Sequence, residues 1–348
     1  MMLRPDDERL TWLAPQPVDR TRTEVRLDRF PAACAPLLAG QLGPLANLRS
    51  STGCGVRLRT DSPWVELRLD RLRHHQPAPC GIALEVEDEA GAVLAHTDSD
   101  DLRECDGAVA VRLATGLERD RAPAAVALWL PVISTVAVSG VVVADGARVA
   151  VAPAPAARWL ALGDSLTQGF SVQSPRQTWV HRLARRWRLP AWNLGVGGLK
   201  IEPEVVAWAL AERRWDLVTI ALGANHAWRE SDADSAVARA VALAEQALAG
   251  GHGRVAWILP GWKPCEDGLG PSEFMGVPLD RAAGARSQRI RAELAAALAA
   301  YQPRLTVIEN PAVRDHRLYP DGLHPSAFGF ARFADGIAQA LPEIAPVA

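Results

Sequence analysis

Four short blocks of this chain carry residue types that together could transfer an acyl group. Gly163-Asp164-Ser165-Leu166, followed by Thr167-Gln168-Gly169, puts a serine hydroxyl where a strand is expected to turn into a helix. A helix N-terminus favours the alkoxide and oxyanion of acyl transfer. Gly-Asp-Ser is equally an ordinary turn and N-cap sequence. Asn193-Leu194-Gly195-Val196-Gly197-Gly198 offers glycines at a strand end, where a backbone N–H can approach a ligand closely or simply make a tight turn. Gly223-Ala224-Asn225-His226 supplies a neutral side-chain donor that could face an oxyanion, or a left-handed Asn opening a loop. In Asp321-Gly322-Leu323-His324-Pro325 an Asp three residues before a His can fix its tautomer and stabilise the imidazolium. The bland alternative is a DG turn ahead of a helix.

What weighs against four independent turns is the arrangement of the elements around them. Apolar runs read as strands over 158–162, 189–194, 216–222, 254–259 and 304–309. Helical patterns fall between and after them, over 177–188, 202–214, 232–248, 279–301 and about 326–341. Strands alternating with helices predict a doubly wound parallel sheet with right-handed crossovers. Ligands bind such sheets beyond the carboxyl ends of the strands. All four blocks are therefore expected at one edge, with Ser before Asp before His in chain order.

Upstream of about residue 155 the rhythm differs. Short, partly alternating runs over 24–30, 55–60, 64–70, 81–87, 92–96, 108–114, 125–130, 135–143 and 147–153 are separated by turn residues. They predict an antiparallel β-sandwich. The expected domains are 1–154 and 155–348, joined by the stiff run 152–157. The uncharged stretch 122–144 is long enough to raise the question of a membrane span. Its Pro131, Gly140 and β-branched residues predict two strands instead.

Composition narrows the function classes. With 348 residues, 49% apolar and 22% charged, the chain can build two cores, and disorder is excluded. A net charge of −2 gives no case for nucleic acid or an anionic membrane surface as partner. Five cysteines with no C-x-x-C spacing speak against a zinc site and a complete disulfide framework. No apolar signal segment opens the chain, so a cytoplasmic location is expected. The Asp98–Asp101 run reads as a polar turn and His74-His75 as a solvated pair; no metal and no cofactor are expected.

These blocks, in this order, resemble those of the SGNH (GDSL-type) hydrolases, with Ser165, Gly198, Asn225 and His324 at the naming positions. The resemblance covers 158 to the end of the chain. It implies a flavodoxin-like three-layer α/β/α fold and a metal-free Ser165–His324–Asp321 mechanism. It also implies an oxyanion hole from the Ser165 and Gly198 N–H groups and the Asn225 side chain. The double glycine leaves that donor ambiguous by one residue; Gly198 is chosen by its spacing from Asn193. The two-domain layout is similar to carbohydrate esterase family two, with a jelly-roll-like sandwich ahead of the SGNH domain. The family's third block commonly ends in Asn-Asp, whereas His226 stands here, either lining the pocket or packing its loop. Trp228 and Trp262 follow the third and fourth strands and could wall a pocket or stack on sugar. The aperiodic run 260–278, with Leu269, Phe274 and Met275, is a candidate lid over the acyl group. The expected substrate is a short ester, such as an acetylated carbohydrate. The rivals are a lipase or thioesterase for longer chains, and a non-catalytic carbohydrate-binding protein with a vestigial hydrolase domain.

Overall fold

A computed structural model describes residues 1–39, 42–119, 122–275, 277–280 and 282–342. The chain divides into two compact units. The first comprises Met1–Ala35, Leu45–Ala156 and Val172–Arg176; the second comprises Pro36–Pro44, Ala157–Ser171 and Gln177 onward.

The first unit holds two antiparallel sheets. In one, the strands run in the order Asp19–Arg20, Val25–Arg26, Ser134–Val143, Trp64–His74, Cys105–Ala114, and Met2–Leu3 also pairs with Ser134–Val143. In the other, the order is Val149–Ala150, Gly55–Thr60, Ala124–Trp129, Ala83–Glu87, Val93–Asp98, and Thr11–Leu13 also pairs with Gly55–Thr60. Val65, Leu67, Leu69 and Val141 of the first sheet share one apolar core with Val56, Leu58, Leu84 and Val126 of the second. The uncharged stretch 122–144 is accounted for by two strands, one in each sheet.

Two departures from simple alternation have electrostatic causes. Glu66 does not face water; it lies buried beneath Arg112, whose guanidinium is 2.9 Å away and stacks on Trp64. The strand expected over 24–30 is reduced to Val25–Arg26. Arg29 turns inward there and is fully buried, donating to the carbonyls of Ser50 at 2.8 Å and Asn47 at 2.6 Å. A buried guanidinium needs such partners, and reaching them draws the chain out of the sheet.

The second unit is a five-stranded, all-parallel sheet. Its strands are β1 (Trp159–Gly163), β2 (Ala191–Gly195), β3 (Leu217–Ala221), β4 (Arg254–Ile258) and β5 (Leu305–Ile308), in the order β2-β1-β3-β4-β5. β1 and β2 are apolar enough to be found from sequence because parallel strands are covered on both faces. The order reverses at β1, which places a topological switch point between β1 and β3. The helices are α1 (Ser165–Gln168), α2 (Trp179–Trp187), α3 (Pro203–Glu212), α4 (Ala236–Ala249), α5 (Ala283–Ala299) and α6 (Ala327–Ala340). The helix expected over 232–248 breaks at Asp234-Ser235 into Glu230–Ala233 and α4. There the Ser235 hydroxyl and the His226 Nδ1–H both bond the Asp232 carbonyl, at 2.8 and 2.7 Å, competing with the helical ladder. Between β4 and α5, the aperiodic run forms a 3₁₀ turn at Pro264–Asp267 and a small ladder of Glu273–Phe274 on Val277–Pro278. Among the described residues, no helix is long and apolar enough to cross a membrane.

Trp159 anchors the start of β1. It is fully buried, donates from Nε1 to Thr219 Oγ1 at 2.9 Å, and packs against Trp179 at 5.5 Å and Trp187 at 5.3 Å between ring centroids. Trp159→Ala should cost ~3–5 kcal/mol of stability in urea unfolding, because the cavity cannot collapse around two rigid aromatic walls. A loss below ~1 kcal/mol would mean that the cluster does not support β1.

Candidate active site

The carboxyl end of β1 leads straight into Asp164 and Ser165. Asp164 caps α1 by accepting the Leu166 N–H at 3.0 Å, which leaves Ser165 in the first turn with its own N–H unbonded among the described residues. No side chain fits at Gly195, where an added Cβ would stand 2.2 Å from the Gln168 nitrogen. The loop after β2 therefore lies directly on α1. Asn193 fastens it there, donating from Nδ2 to the Thr167 carbonyl at 2.7 Å and accepting the Gly195 N–H at 2.9 Å.

Ser165, Asp321 and His324 are brought into one hydrogen-bonded chain. His324 Nε2 is 2.8 Å from Ser165 Oγ, and His324 Nδ1 is 2.7 Å from Asp321 Oδ2. A carboxylate only accepts, so Nδ1 carries the proton and Nε2 is left to accept from the serine hydroxyl. Asp321 Oδ1 accepts the backbone N–H groups of Leu323 at 2.9 Å and His324 at 2.7 Å, and Ser171 Oγ donates to Oδ2 at 3.0 Å. Burial pushes the Asp321 carboxyl up, but the bond and charge of His324, with the two N–H donors, bring it down to about 2. Phe170 stacks on the imidazole with 4.7 Å between centroids, and Phe274 packs beside it at 5.5 Å. Only 8% of Ser165 and 6% of His324 is exposed.

The donors cluster on the same side of the sheet. Gly197 gives its N–H to Gln168 Oε1 at 2.6 Å. Gly198, exposed and at φ +81°, keeps its N–H unbonded among the described residues. Asn225 Nδ2 reaches the Leu199 carbonyl at 3.0 Å and Asp164 Oδ2 at 3.5 Å, so this amide bridges the loops that carry Gly198 and Ser165. Trp228 Nε1 donates to Asn225 Oδ1 at 3.2 Å, which fixes the orientation of the amide, since an indole can only donate.

The remaining expected residues are placed less centrally. Both ring nitrogens of His226 are committed to backbone: Nε2 accepts from Ile201 N at 2.9 Å and Nδ1 donates to Asp232 O. Burial holds its pKa below the ordinary value. Trp262 donates to Asp267 Oδ2 at 3.0 Å and packs edge-on against Tyr319 at 5.4 Å. Phe274, in the same connection, is the aromatic residue that meets His324. A cavity of about 360 Å³ adjoins Asp321, lined by Pro264, Gly270, Pro271, Tyr319 and Gly322. Sequence reasoning passed over Phe170, Ser171 and Lys263. Lys263 alone gave a signal: it is one of two lysines beside thirty-six arginines, on the fourth strand's loop. Among the described residues no cluster of three or more His, Cys, Asp or Glu could hold a metal ion.

Residues 161–332 match the model of the GDSL-like Lipase/Acylhydrolase family. The second unit is an SGNH (GDSL-type) hydrolase domain. The chain is accordingly a carboxylic ester hydrolase. Solved structures with the same fold include a salicylyl-acyltransferase, SsfX3, from a tetracycline biosynthetic pathway, 19% identical with a TM-score of 0.74 over 98% of this chain and 96% of that one. An acetyl xylan esterase from Butyrivibrio proteoclasticus is 12% identical with a TM-score of 0.57, over 98% and 97% of the two chains. A family two carbohydrate esterase from Clostridium thermocellum, in complex with cellohexaose, is 14% identical with a TM-score of 0.57, over 83% and 92%. At these identities the likeness is one of fold, and it extends across both units of the SGNH hydrolase. Among curated proteins, none matches the chain.

In this SGNH hydrolase, Asp321→Asn should lower kcat by less than His324→Ala does. Asn keeps an oxygen for the two backbone N–H groups and loses only the charge and the tautomer control. The carboxyl's low pKa also fixes a pH dependence. Its stabilisation is fully present above the ordinary value near ~4 and is lost as pH falls through the folded value. The stability gap between parent and Asp321→Asn, read from urea midpoints, should therefore narrow on going from pH 6 to pH 3. A gap that widens in acid would contradict a carboxylate held ionised by these hydrogen bonds.

Proposed function

We propose that the enzyme hydrolyses short-chain carboxylic esters, with an O-acetylated carbohydrate as the substrate class, through an acyl-enzyme on Ser165. The observation that carries this reading is the unbroken Ser165–His324–Asp321 hydrogen-bonded chain, together with Ser165 and Gly198 N–H groups that have no partner among the described residues. His324 takes the proton of Ser165 as its oxygen attacks the acyl carbon. The Ser165 and Gly198 N–H groups and the Asn225 amide receive the charge on the carbonyl oxygen. Protonated His324, held by Asp321, gives its proton to the leaving alcohol. A water activated by the same imidazole then releases the acid. No cofactor or metal enters these steps. The sugar part of the proposal is supported by the fold shared with proteins described as an acetyl xylan esterase and a family two carbohydrate esterase. On this reading the first unit is a jelly-roll-like module, and Trp228 and Trp262 remain candidates for contact with the alcohol portion; His226 supports them from the loop.

Ser165→Ala and His324→Ala should each remove esterase activity by ~10⁴-fold or more, with little further loss in the double variant, because the pair acts as a unit. Fully additive losses would contradict the assignment. Asn225→Ala should lower kcat by ~10²–10³-fold with KM nearly unchanged.

Acyl length is expected to be read by Phe274, which stands against His324. The parent should prefer p-nitrophenyl acetate to the butyrate and octanoate, since each methylene that cannot be buried forfeits ~0.8 kcal/mol and a clash costs more. Phe274→Ala should flatten that fall in kcat/KM more than Trp262→Ala, whose indole is engaged with Asp267 and Tyr319. A parent that prefers octanoate would favour the lipase reading. An unchanged profile in Phe274→Ala would remove it from the acyl pocket.

A further inference from the structure

Lys263 lies in the connection after β4 and is buried, with 8% exposed. Its ammonium sits 4.6 Å from the centroid of the Trp228 ring, and it has no carboxylate within ion-pair distance among the described residues. The groups that act on its charge are Asp164, Cys265, Glu266 and, in opposition, Arg291. Glu266 is already taken by Arg291 at 2.5 Å. Asp164, also buried and without an ion pair among the described residues, is the foremost carboxylate acting on its charge.

The ring under Lys263 and the carboxylate that acts on its charge hold the same side chain. Asp164 Oδ2 touches Asn225 Nδ2, and Trp228 Nε1 bonds Asn225 Oδ1. One Nδ2 hydrogen of Asn225 is spent on the Leu199 carbonyl at 3.0 Å; the other is held only loosely, at 3.5 Å, by Asp164. That second hydrogen is the one free to meet a developing oxyanion. An unopposed carboxylate beside it would both compete for this hydrogen and repel the oxyanion.

We propose that Lys263 is a positioning residue for the oxyanion hole, its ammonium balancing the Asp164 carboxylate and bracing the Trp228 ring so that the Asn225 amide stays aimed at the reacting carbonyl. This role rests on the ester-hydrolase reading and deepens it. Burial pushes the Asp164 carboxyl up; the charge of Lys263, the Leu166 N–H and His324 pull it back. Burial also pushes Lys263 down, with Asp164 the foremost group opposing it. Without Lys263, Asp164 binds its proton at higher pH; once protonated it holds the amide more weakly, and above that pH it stands as the unopposed carboxylate that competes for the amide hydrogen.

The test compares parent, Lys263→Met and Lys263→Arg. One readout is kcat and KM on p-nitrophenyl acetate across pH 5–9; the other is the rate at which diethyl p-nitrophenyl phosphate labels Ser165, followed by intact mass. Methionine fills the buried space without a charge, and arginine keeps the charge over the indole. Lys263→Met should lower both kcat and the labelling rate by ~10–100-fold, leave KM within about twofold, and move the acid limb of the profile to higher pH. Lys263→Arg should restore most of both rates. A rise in KM at constant kcat would overturn the proposal in favour of Lys263 gripping the substrate. Equal labelling of parent and Lys263→Met would overturn it directly, as would a loss that is flat with pH and not restored by arginine. A parent that neither labels nor hydrolyses would overturn the ester-hydrolase reading, and the Lys263 role with it.

Discussion

The structure of the second unit depends on keeping one polar chain dry, rigid and complete. Ser165 and His324 are 159 residues apart in sequence and almost fully buried, yet their side chains meet at 2.8 Å. Buried polar groups are costly unless each has its partner, so every member of this chain is held from a second direction. Asp321 is held by two backbone N–H groups and by Ser171, whose backbone adopts φ +69°, a left-handed conformation unusual for a residue with a side chain. His324 is clasped by Phe170 and Phe274. A parallel sheet makes this possible because all five strands deliver their following loops to one edge.

The same economy of close contacts governs the donors. Gly195 has no side chain because α1 passes where one would stand, and Asn193 locks the two segments together. That lock leaves Gly197 bonded to Gln168 and Gly198 exposed, its N–H without a partner among the described residues. Gln168, 29 residues before Gly197, takes the N–H of the one glycine and not of the other. Asn225, fixed by the Trp228 indole, spans the gap between this loop and the turn that carries Ser165.

Much of this architecture was legible in the chain itself. The five parallel strands stand out as apolar runs, and the residues expected to perform the chemistry sit at their carboxyl ends because turns there need Gly, Asp and Asn. What sequence could not supply was long-range pairing. Nothing local distinguishes Glu66 from the exposed charges of its strand until Arg112 is laid over it. Arg29 reads as one arginine among many until the carbonyls of Asn47 and Ser50 surround it. Lys263, Ser171 and Phe170 escaped notice for the same reason: each acts through a neighbour that is distant in sequence. His226 was left between pocket and loop, and nothing local could show that both its ring nitrogens are bonded to backbone.

The central claim is that Ser165 carries the acyl group between leaving alcohol and water. It is tested most directly by rapid acid quench of the enzyme during turnover of p-nitrophenyl acetate, with intact mass and peptide mapping of the trapped protein. The account predicts one added acetyl group, located on Ser165, that disappears as substrate is exhausted. Steady turnover with no trapped acyl group, in a variant slowed at deacylation as well as in the parent, or an acetyl group on any other side chain of the second unit, would contradict it.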